Sequence, residues 1–158
     1  MKMRRADREI TDVTEILKII DACKVCRMAM VEQGKPYIVP LNFGYTYQEG
    51  RFEFYFHSAL RGRKLDILQE NPVVCLELDG EHQLIEGDIA CRYSFLFASV
   101  IAEGEVTFIE ELEEKKKALN VMMKHITGKT FVFEDKHAKG VAVFKVTVTA
   151  ISAKARRK

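Results

Sequence analysis

A chain of 158 residues, 47% hydrophobic and carrying a net charge of +2, has room for one core of ordinary domain size and none for a second domain. So small a charge gives no argument from the whole chain for a polyanion partner, and no apolar run reaches the roughly 18 residues of a membrane span. The start, Met1-Lys2-Met3-Arg4-Arg5-Ala6-Asp7, lacks the apolar stretch of a secretion leader, so the expectation is one cytoplasmic domain over 1–158 with no membrane association.

Both ends are basic, Lys2, Arg4 and Arg5 within 1–8 and Lys154, Arg156, Arg157 and Lys158 within 153–158, and they read as solvated tails before they read as polyanion contacts. Without a secretory context, Cys23, Cys26, Cys75 and Cys91 read as free thiols.

Asp12 with Glu15 three residues on has the form of a capping box, and Val13, Ile16, Leu17 and Ile20 follow at helical spacing, predicting a helix over 12–22. From Lys24 the period becomes two, with Cys26, Met28 and Met30 on one face. Gln33-Gly34-Lys35-Pro36 turns the chain into a second strand over 37–47. After the turn at Gln48-Glu49-Gly50, Phe52, Phe54 and Phe56 alternate with polar residues, and His57 ends the strand on the other face. Residues 61–70 form a helix that Asn71-Pro72 stops.

A fourth strand covers 73–78, residues 80–93 carry no clear pattern, and 95–109 make one or two further strands. Over 110–125, Glu111/Lys115 and Glu113/Lys117 stand four apart in the favourable order, while Leu112, Leu119 and Met122 turn inward. A β-branched strand over 141–151 closes the chain. Strands in short-turn succession suit a mainly β, antiparallel barrel with flanking helices better than a parallel sheet.

The segment Phe56-His57-Ser58-Ala59-Leu60-Arg61-Gly62-Arg63-Lys64-Leu65-Asp66 passes from strand end to helix start, where unpaired amides and the positive end of the helix dipole favour an anion. Composition alone does not separate this from an ordinary basic helix start. Arg61, Arg63 and Lys64, however, oppose the dipole and call for a counter-anion or ample solvent, which tilts the reading toward a ligand, with Gly62 permitting close backbone approach.

Here the sequence resembles a known family, the pyridoxamine-phosphate-oxidase-like FMN-binding split barrels, and within it the nitroimidazole-resistance branch. The resemblance rests on Met3-Arg4-Arg5-Ala6-Asp7-Arg8-Glu9-Ile10, Val39-Pro40-Leu41-Asn42-Phe43-Gly44-Tyr45, the segment 56–66, Asn71-Pro72 and Met123-Lys124-His125. It implies an FMN-binding homodimer with flavins at the subunit interface. Arg27, opening Arg27-Met28-Ala29, then lies near the flavin, and Val39, Pro40, Leu41 and Asn42 form the surface under its ring. By the same resemblance His57 and Ser58 contact ribityl or phosphate and Arg63 and Lys64 clamp the phosphate, while Arg61 and Gly62 join the cofactor-binding set from the reading of the helix start. Arg92, Tyr93 and Ser99 are candidates to complete the site from the dimer surface.

The aromatic and basic C-terminal residues of the true oxidases are missing, so the implied activity is FMN-dependent reduction of a small electron-poor substrate, with NADH or NADPH as a candidate donor. No catalytic residue is assigned; His57 is a proton-donor candidate, although a place beside phosphate favours a binding role. Two other readings stay open: a flavin- or haem-binding sensor without turnover, and a nucleic-acid-binding barrel using the basic ends.

The remaining candidates have plainer readings. Cys23-Lys24-Val25-Cys26 has redox spacing, but it lies between a helix end and a strand start, and it and the other cysteines read as structural and partly buried. His82, His125 and His137 lack ligand spacing, so no metal site is expected. His125-Ile126-Thr127-Gly128-Lys129 reads as a helix C-terminus before it reads as a ligand contact from a partner subunit.

Overall fold

Alternation at every second residue builds most of the molecule, and the computed structural model describes this for residues 4–157. Lys2 and Lys158 of the two basic segments, and Met3 of the first motif, lie outside the described residues.

Strand β1 (Glu9–Ile10) leads into helix α1 (Val13–Ala22), followed by β2 (Cys26–Glu32), β3 (Lys35–Leu41), β4 (Gly44–Gln48), β5 (Arg51–Ser58) and α2 (Arg63–Glu70). Then come β6 (Val73–Ile85), β7 (Ser94–Phe108), α3 (Leu112–Thr127), α4 (Asp135–Lys139) and β8 (Ala142–Arg156). All strand pairings are antiparallel, in the order β3-β2-β6-β7-β8-β5-β4 with β1 against β8. Edge strands β3 and β4 are chain neighbours that do not pair among the described residues, so the sheet curls round one core and stays split along that seam.

The core takes Cys26, Met28 and Met30 from β2, Phe52, Phe54 and Phe56 from β5, Leu76 and Leu78 from β6, Val100 from β7 and Phe144 from β8. Burying a side chain of this size contributes about 1.5–3 kcal/mol. Ile16, Ile19 and Ile20 of α1 and Leu65, Ile67 and Leu68 of α2 close the same core. Helix α3 packs on β4 and β5 through its Ala118, Leu119 and Met122 face.

Several expected boundaries move. The strand over 37–47 is two strands, because Asn42 Nδ2 donates to the Lys24 carbonyl (2.8 Å) and Phe43 turns fully into the core. The first part of the unassigned stretch, 80–85, belongs to β6, which runs on to Ile85 through a bulge between Gly80 and Gln83, and the rest is a connection with a short 3₁₀ turn at Ala90–Arg92. Residues 95–109 form one strand, β7, starting at Ser94.

The C-terminal basic segment is not a solvated tail. β8 runs to Arg156, Lys154 lies over the Phe97 ring, and Arg157 bonds Glu15 and Glu81 at 2.8 Å. At the other end, residues Ala6–Arg8 make a 3₁₀ turn and Arg5 pairs with Asp7.

Local pairings are corrected too. Asp12 caps α1 through the Thr14 amide (2.9 Å), but Glu15 bonds Lys18 and Arg157 instead of returning to the cap, so an ordinary N-cap forms in place of the capping box. In α3 the pairs are three apart, Glu113–Lys116 and Glu114–Lys117, while Glu111 caps the helix and Lys115 donates to the Val141 carbonyl.

Candidate functional site

The end of β5 behaves as the alternation requires: Ser58 follows the phenylalanines inward and His57 faces out. The chain then runs through Ala59, Leu60 and Arg61, all exposed, to Gly62. Gly62 has φ 150° and ψ 155°, a combination reserved for glycine, and it aims the first turn of α2 without any side-chain cap. The helix therefore starts at Arg63 rather than at Arg61. Its leading amides lack intrahelical partners, and the positive end of the dipole is open to an anion.

Around this point stand the expected cations. Lys64 is half-buried and lies close enough to His57 that, together with burial, its charge lowers the imidazole pKa, although part of the ring stays open to solvent. Arg63 stacks 4.3 Å over the Tyr37 ring and donates through Nε (3.1 Å) and Nη2 (2.7 Å) to Glu32 Oε2. Among the described residues neither Arg61 nor Lys64 forms an ion pair. The Ser58 hydroxyl, expected to contact the ligand, is buried and donates to the Ala59 carbonyl (2.9 Å).

The expected residues on β2 and β3 form a second group. Arg27 lies opposite Pro40 and Glu77, Met28 opposite Val39, and Ala29 opposite Ile38 and Cys75. Met28 is fully buried with Val39 and Leu41 half-buried beside it, whereas Arg27, Ala29 and Pro40 face the outside of the sheet. Arg27 Nη1 donates to both Glu77 (2.9 Å) and Asp79, and Asp79 also meets His82 Nε2 at 2.8 Å. Ser99 is opposite Asp79 on β7, so it joins this group. Arg92 and Tyr93 sit apart, in the connection from β6 to β7, where Arg92 pairs with Asp88.

The structure thus gathers His57, Ser58, Arg61, Gly62, Arg63 and Lys64 at one corner and Arg27, Ala29, Pro40 and Ser99 on one outer face. Five residue steps along β2, about 17 Å of extended chain, separate Arg27 from Glu32 beneath Arg63. The carboxylates Glu32, Glu77 and Asp79 escape sequence reasoning, because their partners lie 31, 50 and 52 positions away and leave no local signal.

The plainer readings fare unevenly. Cys23 and Cys26 are buried and their thiols are pushed up by desolvation, Cys26 to about 12, which disfavours the reactive thiolate. Cys91, expected to be partly buried, is exposed, since it lies in the short turn outside the sheet. Gly128 ends α3 in a left-handed conformation, and His125 Nε2 bonds the Cys23 carbonyl (2.8 Å) with its ring 4.5 Å from Phe43. No cluster that could hold a metal ion occurs among the described residues, nor does any helix long and apolar enough to cross a membrane.

A set of cations round an uncapped helix start suits an oxyanion, above all a phosphate. The family model for pyridoxamine 5'-phosphate oxidase matches residues 12–155. Among solved structures, the chain is 35% identical, with TM-score 0.82, to a protein of Bacteroides thetaiotaomicron named for a suspected role in 5-nitroimidazole antibiotic resistance, over 93% of this chain and 86% of that one. The flavocytochrome Anf3 of Azotobacter vinelandii shares the fold at 21% identity and TM-score 0.80, covering 99% of this chain and 73% of its own. An FAD- and haem-binding protein of Mycobacterium smegmatis does so at 16% and 0.81, covering 96% and 74%. No curated protein sequence matches. The split antiparallel barrel and the match along nearly the whole chain lead to one assignment: this chain belongs to the pyridoxamine 5'-phosphate oxidase family.

Proposed function

We propose that this protein binds FMN by its phosphate at the start of α2 and, as a homodimer, reduces a small electron-poor compound with NADH or NADPH as donor. The observation that carries the reading is the α2 N-terminus, uncapped at Gly62, with His57, Arg61, Arg63 and Lys64 around it. The helix amides and Lys64 would hold the phosphate, and Arg63 would add a bidentate contact. Burial and then the Lys64 charge push the His57 imidazole below its ordinary pKa, and beside a phosphate its ring N–H would donate a hydrogen bond to an oxygen there.

Bound flavin supplies the hydride chemistry, and the protein supplies position and electrostatics. The outer face bearing Arg27, Ala29, Pro40 and Ser99 would carry the ring. Arg27, clamped between Glu77 and Asp79, keeps its guanidinium fixed as an oriented donor. Support for the dimer comes from the same face, where Val31, Ile38 and Ile101 are 45%, 59% and 37% exposed around Ala29 and Cys75. Large apolar side chains exposed together on a sheet face, beside the Arg27 cluster, favour burial against a second copy.

The absorbance spectrum of the purified protein tests the reading. A flavin band, released on denaturation and identified as FMN, is expected, and a colourless protein that takes up no added FMN contradicts it. Oxidation of NADH or NADPH with nitro and quinone acceptors then separates an enzyme from a flavin-binding module without turnover.

A further inference from the structure

Arg63 opens α2, where a cation opposes the helix dipole, and the last residue of β2 brings it a compensating charge. Two of the five guanidinium N–H groups go to a single Glu32 oxygen, and Tyr37 covers one face of the guanidinium. We propose that Glu32 is an internal competitor for the phosphate, holding Arg63 until a phosphorylated ligand takes its place, so that the carboxylate sets how tightly the corner grips a dianion.

The inference rests on the phosphate site proposed above. Both side chains are partly exposed, Arg63 at 56% and Glu32 at 34%, so the pair belongs to the weak, solvent-screened class that a dianion displaces. Tyr37 stays with the guanidinium in either arrangement, because the ring binds its face and not its N–H edge. Lys64 and Arg61, with no carboxylate partner among the described residues, remain to greet the phosphate before Arg63 changes partners. A ligand without phosphate gains nothing by displacing Glu32, so the competition acts on FMN and leaves riboflavin untouched.

Titrating flavin-stripped protein with FMN and with riboflavin, for wild type, Glu32→Gln, Arg63→Ala and the double variant, tests this. Glu32→Gln should bind FMN about 2- to 5-fold more tightly, the range expected on releasing an exposed ion pair, with riboflavin affinity unchanged and the gain absent in the Arg63→Ala background. Unchanged or weaker FMN binding by Glu32→Gln overturns the competition, and so does a gain that persists without Arg63, which would be plain repulsion through space. If Arg63→Ala, folded by its melting temperature, binds FMN like wild type, Arg63 takes no part in the grip and the competition falls; if wild type binds FMN no more tightly than riboflavin, the phosphate site itself falls. Weaker FMN binding in Arg63→Ala without a gain in Glu32→Gln removes only the competition.

Discussion

Gly44, the first residue of β4, lies against the backbone of Met122 in α3, so closely that a Cβ built on it would stand 2.6 Å from the Met122 Cα and amide nitrogen. Backbone atoms inside a helix have nowhere to move, and the contact seats α3 on the sheet beside the seam between β3 and β4. Gly44→Ala should therefore destabilise the fold by about 1–3 kcal/mol, as overpacking does, measured by urea unfolding. A wild-type midpoint would show that α3 is free to ride outward.

Gly62 makes the complementary case, since a Cβ there meets nothing within 4 Å while φ lies at +150°. Strain alone then decides the outcome. Gly62→Ala should cost about 1–3 kcal/mol in urea unfolding and weaken FMN binding by re-aiming the first turn of α2.

The pH dependence of stability follows from His57 and His125. Both imidazoles sit below their ordinary value, chiefly through burial, with Lys64 adding to the effect on His57. The unfolded chain therefore binds more protons than the folded one as pH falls through about 6.5, and stability is lost in that direction. Carboxylates held low by arginine and lysine, such as Glu15 and Glu81, lose their contribution only further down, through the carboxylate range. Unfolding free energy at pH 5.5 should be lower than at 7.5, and His57→Gln should shrink the difference. Saturating FMN should shrink it too, because a phosphate beside His57 favours the imidazolium.

Arg157 bonds Glu15 on α1 and Glu81 at the β6 bulge, and its side chain is 44% exposed. Arg157→Ala should cost less than about 1 kcal/mol despite the good geometry, as exposed pairs do. Phe56→Ala, which empties a fully buried ring site beside Phe144, should cost about 3–5 kcal/mol in the same measurement.

What could be read from the residues follows the range of the forces involved. The inward set Cys26, Met28 and Met30 and the run Phe52, Phe54 and Phe56 announce themselves because burial imposes a period of two on local sequence. The break at Asn42-Phe43 does not, since its cause is a bond to Lys24 and a place in the core set by distant elements. β6 hides for a related reason: the bulge at Gly80, with Glu81 at φ 57°, shifts the alternation out of phase partway along. Lys154 and Arg156 look like a charged tail, yet they alternate with Ala153 and Ala155, and the pairing partner β7 makes that alternation a strand. At the candidate site the cations are contiguous in sequence and could be found, whereas the carboxylates that engage Arg27 and Arg63 come from elsewhere in the sheet.

The phosphate grip at the start of α2 is tested most directly by calorimetric titration of FMN and riboflavin into the Arg63→Ala/Lys64→Ala double variant and wild type. Loss of both charge-assisted contacts should weaken FMN by several kcal/mol while riboflavin binds as before. Equal FMN affinity in the two proteins, with the variant folded, would contradict the account.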